Sequence, residues 1–288
     1  MKDNVLKQRV VEGGNGLKLY VEECGPAVAP AILFIHGFSQ SRVAWYKQLY
    51  SGLAQNFRLV SFDLRGHGLS EKPQEREHYT NSRWWADDLA AIIEGLALEK
   101  TVLVGVSYGG YVICDYLRFY GETKLAGINF VGAATKMGTP EAFTMVGKEF
   151  QALFPGFFSN EIMVGVEALS QLIKLCTYRE MRPEDFYTSL GFNCAVPPYV
   201  RKNMFTRKLD NDDVLAGLKL PLLVTHGLED RVILPTAAEH HLKVVAGSQA
   251  NFYAETGHLP FIENPNRFNL GLATFARQAQ GWAGPKTL

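Results

Sequence analysis

The chain is poor in cysteine and has no excess charge of either sign. Its 288 residues include four cysteines, and Lys plus Arg equal Asp plus Glu at 29 each, so the formal net charge is zero. A surface that binds nucleic acid needs an excess of basic side chains to neutralise phosphates. Neither the total charge nor any run of Lys and Arg provides that excess, so we expect no nucleic-acid partner.

The four cysteines are too scattered to form a recognisable framework. Cys24, Cys114, Cys176 and Cys194 contain no Cys-x-x-Cys pair, which favours reduced, mostly buried thiols over disulfides or a zinc site. A disulfide between Cys176 and Cys194 is the alternative if the compartment is oxidising. Metal-ligand spacing such as His-x-x-x-His is also absent, so we expect neither a metal nor another cofactor.

Long apolar stretches are missing as well. No stretch approaches the roughly 18 apolar residues that a membrane-spanning helix requires. The segment Met1 to Val10 is polar and lacks the apolar region of a signal peptide. These features predict a cytoplasmic protein without a membrane span. With 47% hydrophobic residues the chain can still bury a large core, as one domain or as one domain with an insertion.

A short apolar run ends at a serine in the sequence Gly105-Val106-Ser107-Tyr108-Gly109. A serine at the tip of a strand-to-helix turn has a strained backbone that leaves no room for neighbouring side chains. The two glycines supply that room, and apolar residues after them recur at helical spacing. The pattern predicts a nucleophile elbow with Ser107 as the nucleophile. The alternative is a glycine-rich turn with an incidental serine.

Apolar strands alternate with helical patterns along most of the chain. This alternation predicts a doubly wound, mainly parallel sheet that binds ligands at the carboxyl ends of its strands. A helix capped by Ser39 or Ser41 is predicted through Leu53, and a second helix should carry Asp87 and Asp88 outward. The predicted strands are a hairpin over 10–23, then 31–35, 57–62, 102–106, 125–131, 221–227 and 251–254.

The segment 139–217 breaks this alternation. It has several helical patterns and no convincing strand, and Pro155-Gly156, Pro183 and Pro197-Pro198 separate the patterns. We interpret it as an inserted helical cap. The core domain then comprises residues 1–138 and 218–288.

A serine hydroxyl needs a histidine base, and the histidine needs a carboxylate to fix its tautomer. Both partners follow predicted strands: Asp230 comes after the strand at 221–227, and His258 comes after the last strand. We therefore predict Ser107, Asp230 and His258 as the catalytic residues. Glu229, which adjoins Asp230, and Asp63, which ends an earlier strand, are minor competitors for the acid.

The other histidines fit structural positions better. His36 and His226 each precede a glycine at a strand end, and His67 lies between two glycines, so hydrogen bonds that stabilise the fold are expected of all three. His240 and His241 are neighbours and point to different faces of a predicted helix. We expect both to be solvated or half-buried.

These motifs together resemble the α/β-hydrolase superfamily, and the match spans nearly the whole chain. The resemblance implies the α/β-hydrolase fold, in which the catalytic residues follow the chain order Ser, Asp, His. It also implies an oxyanion hole formed by the backbone N–H groups of Phe38 and Tyr108. The residues that carry the resemblance are His36-Gly37-Phe38, Asp63-Leu64-Arg65-Gly66-His67-Gly68-Leu69-Ser70, Gly105-Val106-Ser107-Tyr108-Gly109-Gly110, His226-Gly227-Leu228-Glu229-Asp230 and Gly257-His258.

The serine narrows the functions that this resemblance implies. Dehalogenases and epoxide hydrolases of the superfamily have an aspartate at the elbow, so a serine at position 107 excludes both classes of enzyme. The serine branch predicts hydrolysis of a carboxylic ester or a related acyl bond. Lactonases, carbon–carbon bond hydrolases, perhydrolases, hydroxynitrile lyases and receptors that keep the triad stay open, because the fold does not choose among them.

The predicted cap is rich in methionine and phenylalanine, and this composition indicates what kind of substrate the site would bind. Methionine suits irregular, adaptable surfaces, and a lid over a serine site must present apolar side chains to the substrate. We expect an enclosed, mainly apolar pocket for a small molecule with small to medium uncharged acyl or aromatic groups. The oligomeric state stays open. The side chains concerned are Met137, Met145, Met163, Met181, Met204, Phe143, Phe150, Phe154, Phe157, Phe158, Phe186, Phe192 and Phe205.

Overall fold

An eight-stranded sheet organises the chain in this computed structural model, which describes residues 6–282. The strands are β1 Lys7–Glu12, β2 Lys18–Cys24, β3 Ala31–Ile35, β4 Arg58–Phe62, β5 Thr101–Val106, β6 Leu125–Val131, β7 Lys136–Met137, β8 Leu209–Asp210, β9 Leu222–Gly227 and β10 Gln249–Tyr253. The order in the sheet is β1-β2-β4-β3-β5-β6-β9-β10. The six strands from β4 to β10 in that order pair in parallel, and β2 pairs antiparallel with both β1 and β4. The predicted mainly parallel sheet is confirmed.

The central strands are buried along their whole length. Each residue of β3, β5, β6 and β9 is buried, as expected for continuous apolar runs in a sheet that is covered on both faces. The register aligns Ile35 with Gly105 and Val131 with both Val106 and Thr225. The loops after β3, β5, β6 and β9 therefore start at one edge of the sheet.

Helices connect the strands and follow the last one. Helices α3 and α4 pack together, and α14 packs against β5 and β6. Within residues 6–282, no helix combines the length and apolar character that crossing a membrane requires. The helices are α1 Tyr46–Leu49, α2 Glu77–Thr80, α3 Ser82–Gly95, α4 Gly109–Tyr120, α5 Pro140–Thr144, α6 Lys148–Ala152, α7 Phe154–Phe157, α8 Ile162–Leu175, α9 Pro183–Cys194, α10 Pro198–Met204, α11 Asp212–Ala216, α12 Pro235–Val244, α13 Pro260–Glu263 and α14 Pro265–Gln280.

The first predicted helix is divided into three short pieces. A 3-10 turn over Arg42–Trp45 precedes α1, and a second 3-10 turn covers Gly52–Gln55. The hydroxyls of Ser41 and Ser51 each accept a hydrogen bond from the backbone N–H two residues later. Serine side chains that bond to nearby backbone groups compete with a continuous helix, so each serine starts a new turn.

The prediction that Asp88 faces outward is wrong. Its carboxylate is fully buried and accepts two hydrogen bonds of 2.7 Å from Arg65, which is also fully buried. It also accepts a bond from the Gly14 N–H at 2.8 Å. Because the guanidinium and the carboxylate satisfy each other, the ion pair is tolerated in the interior, and it ties α3 to the loop after β4.

The segment between β7 and β9 contains seven helices and one short strand. The expectation of no strand in 139–217 is wrong at β8, which pairs with β7. Lys136 in β7 stabilises this ribbon because its ammonium contacts Asp212 at 2.7 Å and Asp210 at 3.4 Å.

The expectation of no signal region covers Met1 to Val10, and its first five residues lie outside the described part of the chain.

The four cysteines are free, and three of them are buried, whereas Cys194 is exposed. The alternative disulfide between Cys176 and Cys194 is therefore not formed in this structure. Three buried cysteines out of four agree with the expectation of mostly buried thiols.

We expect Asp88→Asn to lower the free energy of unfolding by about 3–5 kcal/mol, because it leaves the buried Arg65 guanidinium without its counter-ion. Asp87→Asn is the matched control, since Asp87 precedes Asp88 on the same helix and pairs with the half-exposed Arg83. An exposed pair contributes about 0–1 kcal/mol. Urea denaturation of both variants measures the difference, and equal losses would contradict a stabilising role for the buried pair.

Candidate active site

Ser107 lies between the end of β5 and the start of α4 in a strained conformation. Its φ is 53°, which a residue with a side chain rarely adopts and which costs about 1–3 kcal/mol. Its carbonyl accepts hydrogen bonds from the N–H groups of Gly110 and Ala134, both at 3.0 Å. These bonds and its own N–H bond to the Val131 carbonyl at 3.1 Å hold the strained turn in place.

The two glycines of the turn are tightly packed. A Cβ on Gly105 would lie 2.7 Å from the Ile113 side chain, and a Cβ on Gly109 would lie 2.8 Å from the Ile35 carbonyl oxygen. Any larger residue at either position would therefore displace the backbone of the turn. The structure has the close approach that the spacing of these glycines predicts.

His258 and Asp230 are brought together by the parallel pairing of β9 and β10. Gly227 at the end of β9 is in register with Tyr253 at the end of β10, so the loops that follow are neighbours. His258 Nδ1 lies 2.7 Å from Asp230 Oδ2. The His258 backbone N–H donates to the Cys176 carbonyl at 2.8 Å, which fixes the loop.

The Asp230 carboxylate is buried but well satisfied. Its Oδ1 accepts hydrogen bonds from the N–H groups of Val232 and Ile233, at 2.8 and 3.0 Å. Burial by itself would raise the pKa of Asp230, but the nearby charge of His258 and hydrogen bonds from His226 and His258 outweigh it and lower the pKa to about 2. Asp230 is therefore ionised at neutral pH and suited to accept the Nδ1–H of His258.

His226 contributes to the same carboxylate, which sequence reasoning missed. Its Nε2 lies 2.9 Å from the Ile233 carbonyl oxygen and 3.3 Å from Asp230 Oδ2. A carbonyl can only accept, so Nε2 carries the proton and points it toward both oxygens. The expected structural role of His226 is thus incomplete, because it also orients Asp230.

The two competing acids are engaged elsewhere. Glu229 accepts a hydrogen bond from the Thr256 N–H at 2.8 Å. Asp63 pairs with the Arg42 guanidinium at 2.7 Å and accepts the Leu69 N–H at 2.8 Å. Asp230 is the acid that contacts His258.

The remaining histidines divide into buried and half-buried ones. His36 is buried, which lowers its pKa to about 3, and it accepts the Leu64 N–H at 3.0 Å. His67 packs against it with ring centroids 5.0 Å apart. The expectation for His241 is wrong, since it is 2% exposed and bonds Thr135, whereas His240 is half-buried beside Asp212. His241 is buried because its side of α12 packs on the sheet against Phe130.

Two backbone N–H groups near Ser107 are free. Within residues 6–282, the N–H groups of Phe38 and Tyr108 have no protein hydrogen-bond acceptor. The loop that carries Phe38 passes close to the serine, because a Cβ on Gly37 would lie 3.1 Å from the Ser107 Cβ. Gln40 Oε1 accepts the Gly37 N–H at 2.8 Å and holds this loop.

Two cavities meet at Ser107, and Phe38 and Phe150 line both of them. The first has a volume of about 40 Å³ and is also lined by His258, and the second has a volume of about 250 Å³. Aromatic side chains dominate the second cavity. Its further lining includes Tyr108, Tyr111, Met137, Phe143, Phe154, Phe158 and Phe205.

The methionines in and next to the predicted cap have different environments. Met137 lines the second cavity, Met204 is fully buried in the core, and Met163 is 76% exposed. The phenylalanines are the larger part of the apolar lining. In the described residues, no group of three or more His, Cys, Asp or Glu side chains is arranged to hold a metal ion.

Gly132 is another residue that sequence reasoning missed. It follows β6 with a φ of +47°, and a Cβ there would lie 3.0 Å from His258 Nδ1 and 3.2 Å from Asp230 Oδ2. The glycine directly after an apolar strand is the sequence signal, but the pairing with His258 depends on the tertiary fold. Gly132 leaves the space in which the histidine and the carboxylate meet.

The chain belongs to the alpha/beta hydrolase fold family, whose model matches residues 30–265. It is a hydrolase, and its relatives and structural neighbours include several esterases.

The esterase RhEst1 from Rhodococcus sp. ECU1013 has a similar structure, with 32% sequence identity and a TM-score of 0.89 over 94% of this chain and 99% of that one. Epoxide hydrolase 1 of Caenorhabditis elegans is 31% identical over 304 residues, covering 95% of this chain and 73% of that protein. The bifunctional esterase/perhydrolase DCH of Acinetobacter calcoaceticus is 27% identical over 244 residues, covering 76% and 81%.

We expect Gly132→Ala to lower kcat by about 100-fold, because its methyl group would push His258 and Asp230 apart, and a displacement of about 1 Å has such an effect in an active site. Gly247→Ala is the matched control, since Gly247 also has a positive φ, of +77°, but its Cβ would meet open space. Steady-state hydrolysis of a short activated ester measures both. Equal activities of the two variants would show that Gly132 does not protect the His258–Asp230 contact.

Proposed function

We propose that this hydrolase cleaves a carboxylic ester through Ser107, with His258 as the base and Asp230 as the acid that orients it. The observation that carries the proposal is the strained serine at the end of β5, which shares a cavity with a histidine bonded to a buried carboxylate. Strain of this kind, concentrated at one residue of a cavity, is characteristic of functional sites.

The proposed reaction starts at His258. Asp230 accepts the Nδ1–H, so Nε2 is the unprotonated nitrogen that takes the proton of the Ser107 hydroxyl. Ser107 Oγ attacks the ester carbonyl carbon, and the carbonyl oxygen becomes an oxyanion. The free N–H groups of Phe38 and Tyr108 donate to this oxyanion, and one such donor contributes on the order of 3 kcal/mol.

The second half of the reaction returns the enzyme to its starting state. The His258 imidazolium gives its proton to the alcohol oxygen as the carbon–oxygen bond breaks, and the acyl group stays on Ser107. His258 then takes a proton from water, the resulting hydroxide attacks the acyl-enzyme, and the acid is released as Ser107 regains its proton.

The proposed substrate is small and mainly apolar. Residues 139–217 act as a cap domain over a core of 1–138 and 218–288, and Phe150, Phe154 and Phe205 of the cap face the second cavity. An aromatic wall favours an uncharged aliphatic or aromatic group over sugars or peptides. The partner is therefore a small-molecule ester.

Two alternatives use the same residues. The relative named a bifunctional esterase/perhydrolase makes perhydrolysis the second candidate, in which hydrogen peroxide replaces water at the acyl-enzyme. Similarity to an epoxide hydrolase does not change the proposal, because an aspartate is expected at the elbow of such enzymes and this chain has Ser107. A receptor that keeps the triad would show no steady turnover.

We expect Ser107→Ala and His258→Ala to lower kcat by roughly 10⁴-fold or more, and Asp230→Ala to lower it somewhat less, as in other triads. The control is Glu229→Gln, which changes the carboxylate next to Asp230 and should keep most of the activity. Hydrolysis of a short activated ester by folded protein, checked by circular dichroism, gives the measurement. Wild-type turnover by purified Ser107→Ala protein would refute the assignment.

A further inference from the structure

The two cavities at Ser107 differ in their contact with the groups proposed to act on an ester. Ser107 lines both cavities, whereas His258 lines the first and not the second. Tyr108, whose N–H is one of the two proposed oxyanion donors, lines the second and not the first. The two sides of the serine therefore offer a substrate different chemical groups.

The position of His258 assigns the cavities to the two parts of an ester. In the proposed reaction the alcohol oxygen takes a proton from His258 as it leaves, so it must lie on the histidine side of Ser107. The alcohol part of the ester therefore lies in the first cavity. The acyl part, which stays bonded to Ser107 while the alcohol leaves, lies in the second cavity.

The first cavity has room for a small group only. Its volume is about 40 Å³, whereas that of the second cavity is about 250 Å³. A water-sized group needs about 10–15 Å³ by this measure, so the first cavity holds roughly three such groups. The water that replaces the alcohol at His258 must enter the same space. A cavity of this size accepts that water and a very small alcohol, but not an aromatic ring.

Contacts at both ends of α9, which forms part of the wall, keep the first cavity narrow. Near the start of α9, the Asp185 carboxylate contacts the Lys47 ammonium of α1 at 3.0 Å and accepts a hydrogen bond from the Tyr46 hydroxyl. Near its end, the Asn193 carbonyl accepts a hydrogen bond from the buried Arg201 guanidinium at 3.2 Å. Moving α9 outward would break these contacts, so the wall resists widening.

The second cavity suits a bulky, uncharged acyl group. Phe154 and Phe205 are part of its aromatic wall, with ring centroids 4.8 Å apart. Lys136 is the charged residue of its lining, and its ammonium contacts the carboxylates of Glu141 and Asp212, both at 2.7 Å. Because two carboxylates already neutralise Lys136, it leaves no free positive charge for an anionic acyl group.

We propose that this protein selects esters that combine a bulky, uncharged acyl group with a very small alcohol such as methanol or ethanol. This inference rests on the proposed ester hydrolysis and names its substrate class: methyl and similarly small alkyl esters of apolar aromatic or branched aliphatic acids. An ester with the reverse arrangement, a small acyl group on a bulky alcohol, is a poor substrate.

The test uses two isomeric esters in which the two parts are exchanged. Methyl phenylacetate has the aromatic ring in its acyl part, and benzyl acetate has it in its alcohol part. We expect kcat/KM of the wild type to be about 10- to 100-fold higher for methyl phenylacetate, the advantage that burying one aromatic ring provides. Each value is divided by the rate constant of the same ester in dilute hydroxide, which removes differences in intrinsic reactivity.

The variant Leu172→Ala tests the first cavity. Leu172 of α8 lines that cavity and not the second, so its truncation makes room on the alcohol side. We expect the preference for methyl phenylacetate to fall about 10-fold. Leu169→Ala is the matched control, since Leu169 is buried on the same helix but lines neither cavity, and it should keep the wild-type preference. Both esters are measured on the same sample, so a loss of folded protein does not change the ratio.

The variant Ala142→Leu tests the second cavity. Ala142 of α5 lines that cavity and not the first, and a longer side chain there takes up space on the acyl side. We expect the ratio of kcat/KM for methyl phenylacetate to kcat/KM for methyl acetate to fall about 10-fold. Leu169→Ala should leave this ratio unchanged as well.

Four results would overturn the inference: a normalised wild-type ratio near 1, a preference for benzyl acetate, an unchanged preference in Leu172→Ala, or an unchanged ratio in Ala142→Leu. Wild-type protein that cleaves a short activated ester but not methyl phenylacetate would also overturn it. Ser107→Ala separates these results from a failure of the proposed function. Hydrolysis of the esters by Ser107→Ala protein would refute the nucleophile assignment, whereas inactive Ser107→Ala with a wild-type ratio near 1 would refute the assignment of the cavities alone.

Discussion

The hydrogen bond between His258 and Asp230 is the interaction on which the proposed chemistry depends, and several features of the fold make it possible. It forms because β9 and β10 are parallel and in register, so that the two loops leave the sheet side by side. It is maintained because the carboxylate is ionised, with its pKa lowered to about 2 despite burial, and because Gly132 leaves space for it. Ser107 reaches the same edge from β5 by a strained turn.

The second constraint is the separation of space around the serine. The segment between β7 and β9 provides phenylalanines to one cavity and polar side chains of α9 to the other. The buried pair of Arg207 and Asp115 at 2.6 Å fixes the part of this segment just before β8 to α4, the helix that follows the serine. The walls of the two cavities and Ser107 are thus held to one another.

The sequence predicts the parts of this molecule that depend on local chemistry. Strands of continuous apolar residues, the glycines around Ser107, and an acid and a histidine after strand ends are visible without a structure, and the parallel sheet is confirmed. The burial of Asp88 and His241 is not visible in the sequence, because it depends on Arg65 and Phe130, which lie far away along the chain. For His226 the sequence indicates only a structural hydrogen bond, since its contact with Asp230 is defined by tertiary neighbours.

The proposed function requires that an acyl group is transferred to Ser107. Mass spectrometry of the intact protein and its peptides, after brief mixing with an activated ester and acid quenching, tests this directly. The account predicts one acyl group per chain, located on the peptide that contains Ser107, and its absence in Ser107→Ala protein. An adduct on another residue would contradict this prediction. So would steady hydrolysis by a variant with slowed deacylation that shows no adduct at any quench time.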